Sequence, residues 1–205
     1  MRESEKQKEI WKRLIDGPRG ENALRTVMWR MACDLSSMVG RTISNGDPQV
    51  EAVPLSEVAV RAGDLEAEMV GVYLVMQSGL RGQAILILPV TCALCLADLL
   101  MDEPLGTATF LGEMERSALA EIGNLAVSSF LNAVATNTGA AELLRPSSPA
   151  VMVDMLGAIL DVIVTPVAAV RDDLLIIETT LRDAKDVVQA RFWMLPDPAL
   201  RISAN

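Results

Sequence analysis

Shifted by 99 residues against itself, the chain lays NALRTVMWRMACDLSSMVG (Asn22–Gly40) over EIGNLAVSSFLNAVATNTG (Glu121–Gly139), and both runs stop at a glycine. Farther on, Gln83-Ala84 ahead of Pro89 matches Gln189-Ala190 ahead of Pro196, with one extra residue in the second copy. Identity between the copies is low, but element order, spacing and the two glycine stops agree, as in a duplicated unit. Two such copies constrain the fold strongly. They are expected to pair about an internal pseudo-twofold axis and to share one core, because neither has the length to be comfortably stable alone.

Periodicity and turn residues supply the elements of each copy. Helices are expected at about Glu3–Ile15, Glu21–Val39, Val90–Met101, Gly112–Asn137 and Met155–Val164, with a helical turn at Pro54–Arg61. Strands are expected at Gln49–Val53, Glu68–Gln77, Gly82–Leu88, Ala150–Asp154, Leu174–Thr180 and Val187–Leu195. Turns at Ser78-Gly79 and Asp183-Ala184-Lys185 join the paired strands, and Pro146-Ser147-Ser148-Pro149 reads as a loop. The fold class is therefore α+β (α/β): two helix–strand–helix–strand–strand units, with long helices packed on antiparallel strands. Residues 1–18 are expected to form an N-terminal extension helix. Residues 19–205 form a single domain of two repeats, about 19–106 and 107–205.

Composition removes whole classes of function. The chain has 205 residues, 51% of them apolar, which is a globular composition. Lys plus Arg number 18 against 27 Asp plus Glu, a formal charge of -9 that disfavours nucleic acid. There is no histidine, so Ser-His-Asp and Cys-His catalysis, imidazole zinc sites and histidine pH switches are excluded. Aromatics amount to 3%, too few for base-stacking platforms. Three cysteines, Cys33, Cys92 and Cys95, imply no disulfide framework. The charged start MRESEKQKEIWKRL is no secretory signal, and Pro89 and Asp98 break the apolar run Ala84–Met101. A cytoplasmic protein without a membrane span is expected.

The segment Gly112–Asn137 carries the functional signal. On a wheel of about 100° per residue, Leu119, Ile122, Ala126, Phe130 and Ala133 form an apolar stripe. Ser117, Glu121, Asn124 and Ser128 fall on roughly the opposite side, within about 60°. Taken alone, Glu-x-x-Asn is a common pattern of a solvated helix face. Yet Asn124 is a mediocre helix former, and Gly123 costs about 1 kcal/mol against alanine in a helix interior. Keeping Gly-Asn in mid-helix points to a purpose other than helix stability.

Ser117-x-x-x-Glu121-Ile122-Gly123-Asn124, then Asn132-Ala133, then Pro146 after a 21-residue gap, resembles the signature of the CheC-type chemotaxis phosphatases. That family includes CheX and the flagellar switch protein FliY, with FliM as a non-catalytic relative. The run Glu115–Ala135 is especially similar to the second active helix of CheC. Similarity continues through Val151–Leu160, and the duplicated layout covers about residues 20–198. The resemblance implies a CheC-like fold and a hydrolase that acts in two-component signalling on the aspartyl phosphate of a CheY-like response regulator. It implies that Asn124 orients the attacking water and that Glu121 pairs with a lysine of the regulator. Ser117 and Ser128 are implied as partner-binding positions, and Pro146 as loop geometry. No cofactor is bound by the chain itself: Mg²⁺ comes with the phosphorylated receiver. Partners implied are that regulator and a CheD-like deamidase, with the chain a monomer.

The sequence departs from the family pattern in two places. The first copy has Asn22 and Arg25 where the second has Glu121 and Asn124, and a guanidinium cannot accept a hydrogen bond. Glu21 lies one residue out of register, about 100° around the helix, and does not restore the site. One working site is therefore expected. Ser128 stands where the family has glycine, which would weaken close approach to the regulator. A non-catalytic adaptor that binds a regulator, a CheD-like deamidase or the flagellar switch stays open beside the phosphatase. So does a structural switch subunit.

Other features have plainer readings. Cys92-x-x-Cys95 is expected to serve as buried packing, and the eleven methionines mostly as core packing. Ile10, Trp11, Leu14 and Ile15 should seat the first helix on the domain. Ser129, Thr136 and Asn137 are expected to serve helix packing or termination, and Gly79-Leu80-Arg81-Gly82 is a turn and not a phosphate loop.

Overall fold

The structure, a computed structural model, describes residues 3–76, 79–139 and 145–200. In chain order the elements are α1 (Glu3–Ile15), α2 (Gly17–Val39), β1 (Ile43–Asn45), β2 (Gln49–Pro54), α3 (Leu55–Ala62), β3 (Glu68–Met76), β4 (Gly82–Pro89) and α4 (Val90–Leu100). They continue with α5 (Glu113–Thr138), β5 (Ala150–Met155), α6 (Leu156–Ala168), β6 (Asp173–Asp183) and β7 (Gln189–Pro196), and close on a 3₁₀ turn, Pro198–Leu200.

All strands join one antiparallel sheet in the order β1-β6-β7-β4-β3-β5, with β2 also on β6. Exchanging β2 with β5, β3 with β6 and β4 with β7 reverses that order onto itself. The twofold relation thus passes between β4 and β7, which pair from Gly82↔Pro196 to Ile87↔Arg191. Each half also lends an edge strand to the other: β2 lies on β6, and β5 lies on β3. The isolated bridge Met76↔Pro146 occupies, on β3, the place that β1 takes on β6. Ser147 secures it, its N–H donating to the Val75 carbonyl (2.7 Å) and its Oγ accepting from the Val75 N–H (3.0 Å).

The alternation of side chains along the central strands splits the core in two. Leu86 and Leu88 of β4, with Phe192 and Met194 of β7, pack under α1, α2, α4 and α5. Ile85, Ile87, Trp193 and Leu195 point the other way, under α3 and α6. The long helices α2 and α5 end alike, at Gly40 (φ 70°, ψ 17°) and Gly139 (φ 69°, ψ 19°), left-handed caps that glycine adopts without steric cost. Helix α1 belongs to the main core: Trp11 and Leu14 are fully buried in it, and Arg13 donates to the Thr138 carbonyl at the end of α5 (3.1 Å).

Several local expectations are corrected. Helix α2 starts at Gly17 and not at Glu21, because Pro18 sits in the first turn, where no N–H is needed. Helix α6 runs past Pro166 to Ala168; the proline forfeits one bond in the last turn, and burial of Val167 carries the helix on. Strand β1 escaped the sequence reading, and β6 extends to Asp183. Cys92 and Cys95 are only half-buried and Cys33 is exposed, while Met38, Met114 and Met155 stand in solvent rather than in the core. The expected strand end at Gln77 and the turn at Ser78 lie outside the described residues. Helix α5 is long and apolar enough to cross a bilayer, yet most of its apolar side chains line the core.

Candidate functional site

Helix α5 is fixed from below. Leu119, Ile122, Ala126, Phe130 and Ala133 are all buried, and the Phe130 ring lies 6.0 Å from that of Phe192 on β7. Gly123 sits on β3: a Cβ there would stand 2.4 Å from Cγ1 of Val72 and 3.1 Å from its Cβ. The mid-helix glycine therefore has a structural reason, the close approach of helix to strand. This corrects the reading of Gly-Asn as one functional signal. Asn124 is left as the residue that packing does not explain.

The four polar positions fall on the outer face. Ser117, Glu121 and Asn124 are exposed and Ser128 is half-buried. The Ser117 hydroxyl donates back to the Glu113 carbonyl (2.8 Å), so its hydrogen is already engaged. Glu121 and Asn124 make no hydrogen bond or ion pair with another described residue. Three residues apart, they project together from a convex helix face, with Cβ atoms about 5–6 Å apart. A carboxylate offers acceptors only, and a carboxamide offers both an acceptor and two donors. Such a pair can seat a cation and hold a water at a fixed angle, but the amide cannot remove a proton.

Pro146 lies at the end of β3 through its bridge to Met76, an edge-strand role and not a place on the α5 face. Thr136 and Asn137 donate back to the Asn132 and Ala133 carbonyls (2.9 and 2.8 Å), and Ser129 is buried. In the first copy, Asn22 and Arg25 are exposed on α2, and Arg25 pairs with Asp47 at 3.4 Å. Burial raises the Cys95 thiol, helped by Cys92 and Asp98, which is the opposite of activation. Among the described residues, no three His, Cys, Asp or Glu side chains come together as a metal site.

Sequence reasoning missed Asp98. It is fully buried at the end of α4, and its carboxylate accepts from the N–H groups of Gly106 (2.7 Å), Thr107 (3.2 Å) and Ala108 (2.8 Å). It thereby shapes the loop that leads into α5. A lone aspartate in the apolar run Val90–Leu100, ahead of the turn residues Glu103-Pro104-Leu105-Gly106, was the available signal.

No protein-family model matches the chain. It is 28% identical over 174 residues to the CheY-P phosphatase CheC of Bacillus subtilis (strain 168), covering 81% of this chain and 80% of that protein. Among solved structures it resembles Thermotoga maritima FliY (TM-score 0.66, 21% identity, 88% of each chain). It also resembles the CheX-CheY-BeF3-Mg²⁺ complex from Borrelia burgdorferi (TM-score 0.53, 14% identity, 86% of this chain and 97% of that one). Sequence similarity to CheC and the likeness to the FliY and CheX structures agree with the symmetric sheet: the chain has a CheC-like fold.

Proposed function

We propose that this chain is a protein-aspartyl-phosphate phosphatase acting on a CheY-like response regulator in the cytoplasm. The observation that carries the reading is the Glu121–Asn124 pair, exposed and without a polar partner among the described residues, on a helix whose opposite face is locked into the core. The similarity to CheC supports the same reading. In it, the regulator brings the phosphoryl group, the Mg²⁺ and a lysine, and this chain brings geometry.

Asn124 enters the regulator's site and hydrogen-bonds a water in line with phosphorus. The water oxygen forms a bond to phosphorus as the bond to the aspartate oxygen breaks; the aspartate leaves as a carboxylate, and the water's protons stay with the phosphate, released as dihydrogen phosphate. The gain is orientational, as with the water-positioning glutamine of GTPases. Glu121 pairs with the regulator's lysine through a charge-assisted contact that fixes the register of α5. Ser117 and Ser128 border the contact. The two fused repeats supply within one chain the pseudo-twofold arrangement that a single-unit relative would build by dimerising, so the chain acts as a monomer. A single site works, because Arg25 cannot replace Asn124 in α2.

The test is phosphate release from a phosphorylated CheY-type receiver with Mg²⁺, with and without this chain. Acceleration that disappears in Asn124→Ala supports the enzyme. Binding of the phosphorylated receiver without acceleration would favour the adaptor reading, with a CheD-like deamidase or the flagellar switch as further partners.

A further inference from the structure

Large apolar side chains stand exposed just ahead of the Glu121–Asn124 face. Phe110 is 73% and Met114 71% exposed, whereas Phe130 and Phe192 are fully buried. Met114 lies on α5 seven residues before Glu121, about 20° from it around the axis and about 10 Å along it. The Phe110 ring folds toward the same helix start, with Cε2 3.1 Å from where a Cβ on Gly112 would be. Met114 thus extends the polar face of α5 with an apolar side chain, and Phe110 stands exposed at the start of the same helix.

The loop that presents these side chains is held, not loose. Asp98 is completely buried, pairs with no cation among the described residues, and gathers the three N–H groups of residues 106–108. Thr107 closes a turn onto Pro104, donating through both its N–H (3.1 Å) and its hydroxyl (2.6 Å) to that carbonyl. A buried carboxylate is costly unless its bonds are needed. Here its bonds fix the loop that carries Leu105 and Phe110 outward, and a pre-ordered apolar contact loses little freedom when it meets a partner.

We propose that Phe110 and Met114, presented by the loop pinned on Asp98, form an apolar docking element for the receiver whose aspartyl phosphate Asn124 enters. The proposal rests on the phosphatase reading. The occupant follows from continuity: a partner centred over Asn124 covers about 800 Å² on this chain, a disc of about 16 Å radius. Met114 lies about 15 Å from Asn124 along α5, just inside that footprint, and the helix start where Phe110 rests lies about 18 Å away, at its border. Apolar contact at the border of a polar catalytic contact supplies affinity, while Asn124 supplies rate.

The experiment measures phosphate release against the concentration of a CheY-type receiver kept phosphorylated with acetyl phosphate and Mg²⁺, together with Kd for the beryllofluoride-loaded receiver. In Phe110→Ser/Met114→Ser, KM and Kd rise about tenfold or more and kcat stays within about twofold. Asn124→Ala gives the opposite split, kcat lost and Kd kept. Asp98→Asn raises KM with Phe110 intact; should it fail to fold, the two exposed positions still decide. Unchanged KM and Kd in the double variant, with wild-type turnover intact, would overturn the docking element and leave the phosphatase standing. Phe110-dependent self-association with KM unmoved would assign the patch to a second copy and overturn it equally. If the wild type neither binds nor turns over the receiver, the phosphatase reading itself falls, and the docking element with it.

Discussion

Gly123 of α5 and Val72 of β3 meet so closely that a single added carbon, the Cβ of alanine, would come within 2.4 Å of the valine Cγ1. Alanine improves an isolated helix by about 1 kcal/mol over glycine. Overpacking a tight contact costs about 1–3 kcal/mol, and a β-branched valine on a strand has little freedom to turn away. Packing wins. Gly123→Ala is expected to lower stability by about 1–2 kcal/mol in urea unfolding, and to reduce phosphate release by displacing the neighbouring Asn124. A variant as stable and as active as the wild type would refute the contact.

Asp98 makes a second prediction about the same helix. Asp98→Ala takes the acceptor from the Gly106 and Ala108 N–H groups and leaves that of Thr107 only the Pro104 carbonyl, at a cost of about 3 kcal/mol. The loss should be local as well as global. Amide hydrogen exchange at Gly106, Thr107 and Ala108 should accelerate more than exchange in the central strands β4 and β7.

Acid sensitivity should concentrate at Asp183. Burial would raise its carboxyl, but the Val188 N–H and the Arg41 guanidinium outweigh that and hold it below the ordinary aspartate value. Arg41 donates through Nε (2.9 Å) and Nη2 (2.6 Å) to Oδ2, and Val188 donates to Oδ1 (3.0 Å). A carboxyl depressed in the fold contributes stability above its unfolded pKa of about 3.9, and that stability is lost as pH falls through the folded value. Urea midpoints should therefore drop below about pH 4 in the wild type. Arg41→Met should cost about 1.5–3 kcal/mol at neutral pH and flatten the acid limb. An unchanged acid limb would count against this assignment.

The two long helices should respond unequally. Asn124→Ala is expected to slow phosphate release about 100-fold by losing the oriented water. Glu121→Ala should act mainly through KM. Arg25→Ala, at the matching position of α2, should leave release within about twofold and stability within about 1 kcal/mol, since its pair with Asp47 is exposed. A substantial loss in Arg25→Ala would mean that α2 takes part.

The glycine stops, the apolar stripe of α5, the paired strands and the polar set Ser117, Glu121, Asn124 and Ser128 were all legible in the chain. Each depends on the periodicity or turn chemistry of about ten neighbouring residues. Misreadings arose where a distant partner decided the matter. Burial of Val167 carried α6 past Pro166, and Val72, about fifty residues upstream, gave Gly123 its reason. Asp98 looked like an interruption until the loop it binds was in place.

By itself, then, the sequence determined most of the elements, the repeated order in which they come and the polar face of α5, because these follow from local side-chain chemistry. Tertiary structure decided that β2 joins β6 and β5 joins β3, and that α5 settles on Val72. It also decided that Phe110 and Met114 stay in solvent beside the site while Trp11 and Phe130 do not. The reason is that apolar character fixes only a tendency to leave water; which apolar residues find cover depends on contacts between segments far apart in the chain.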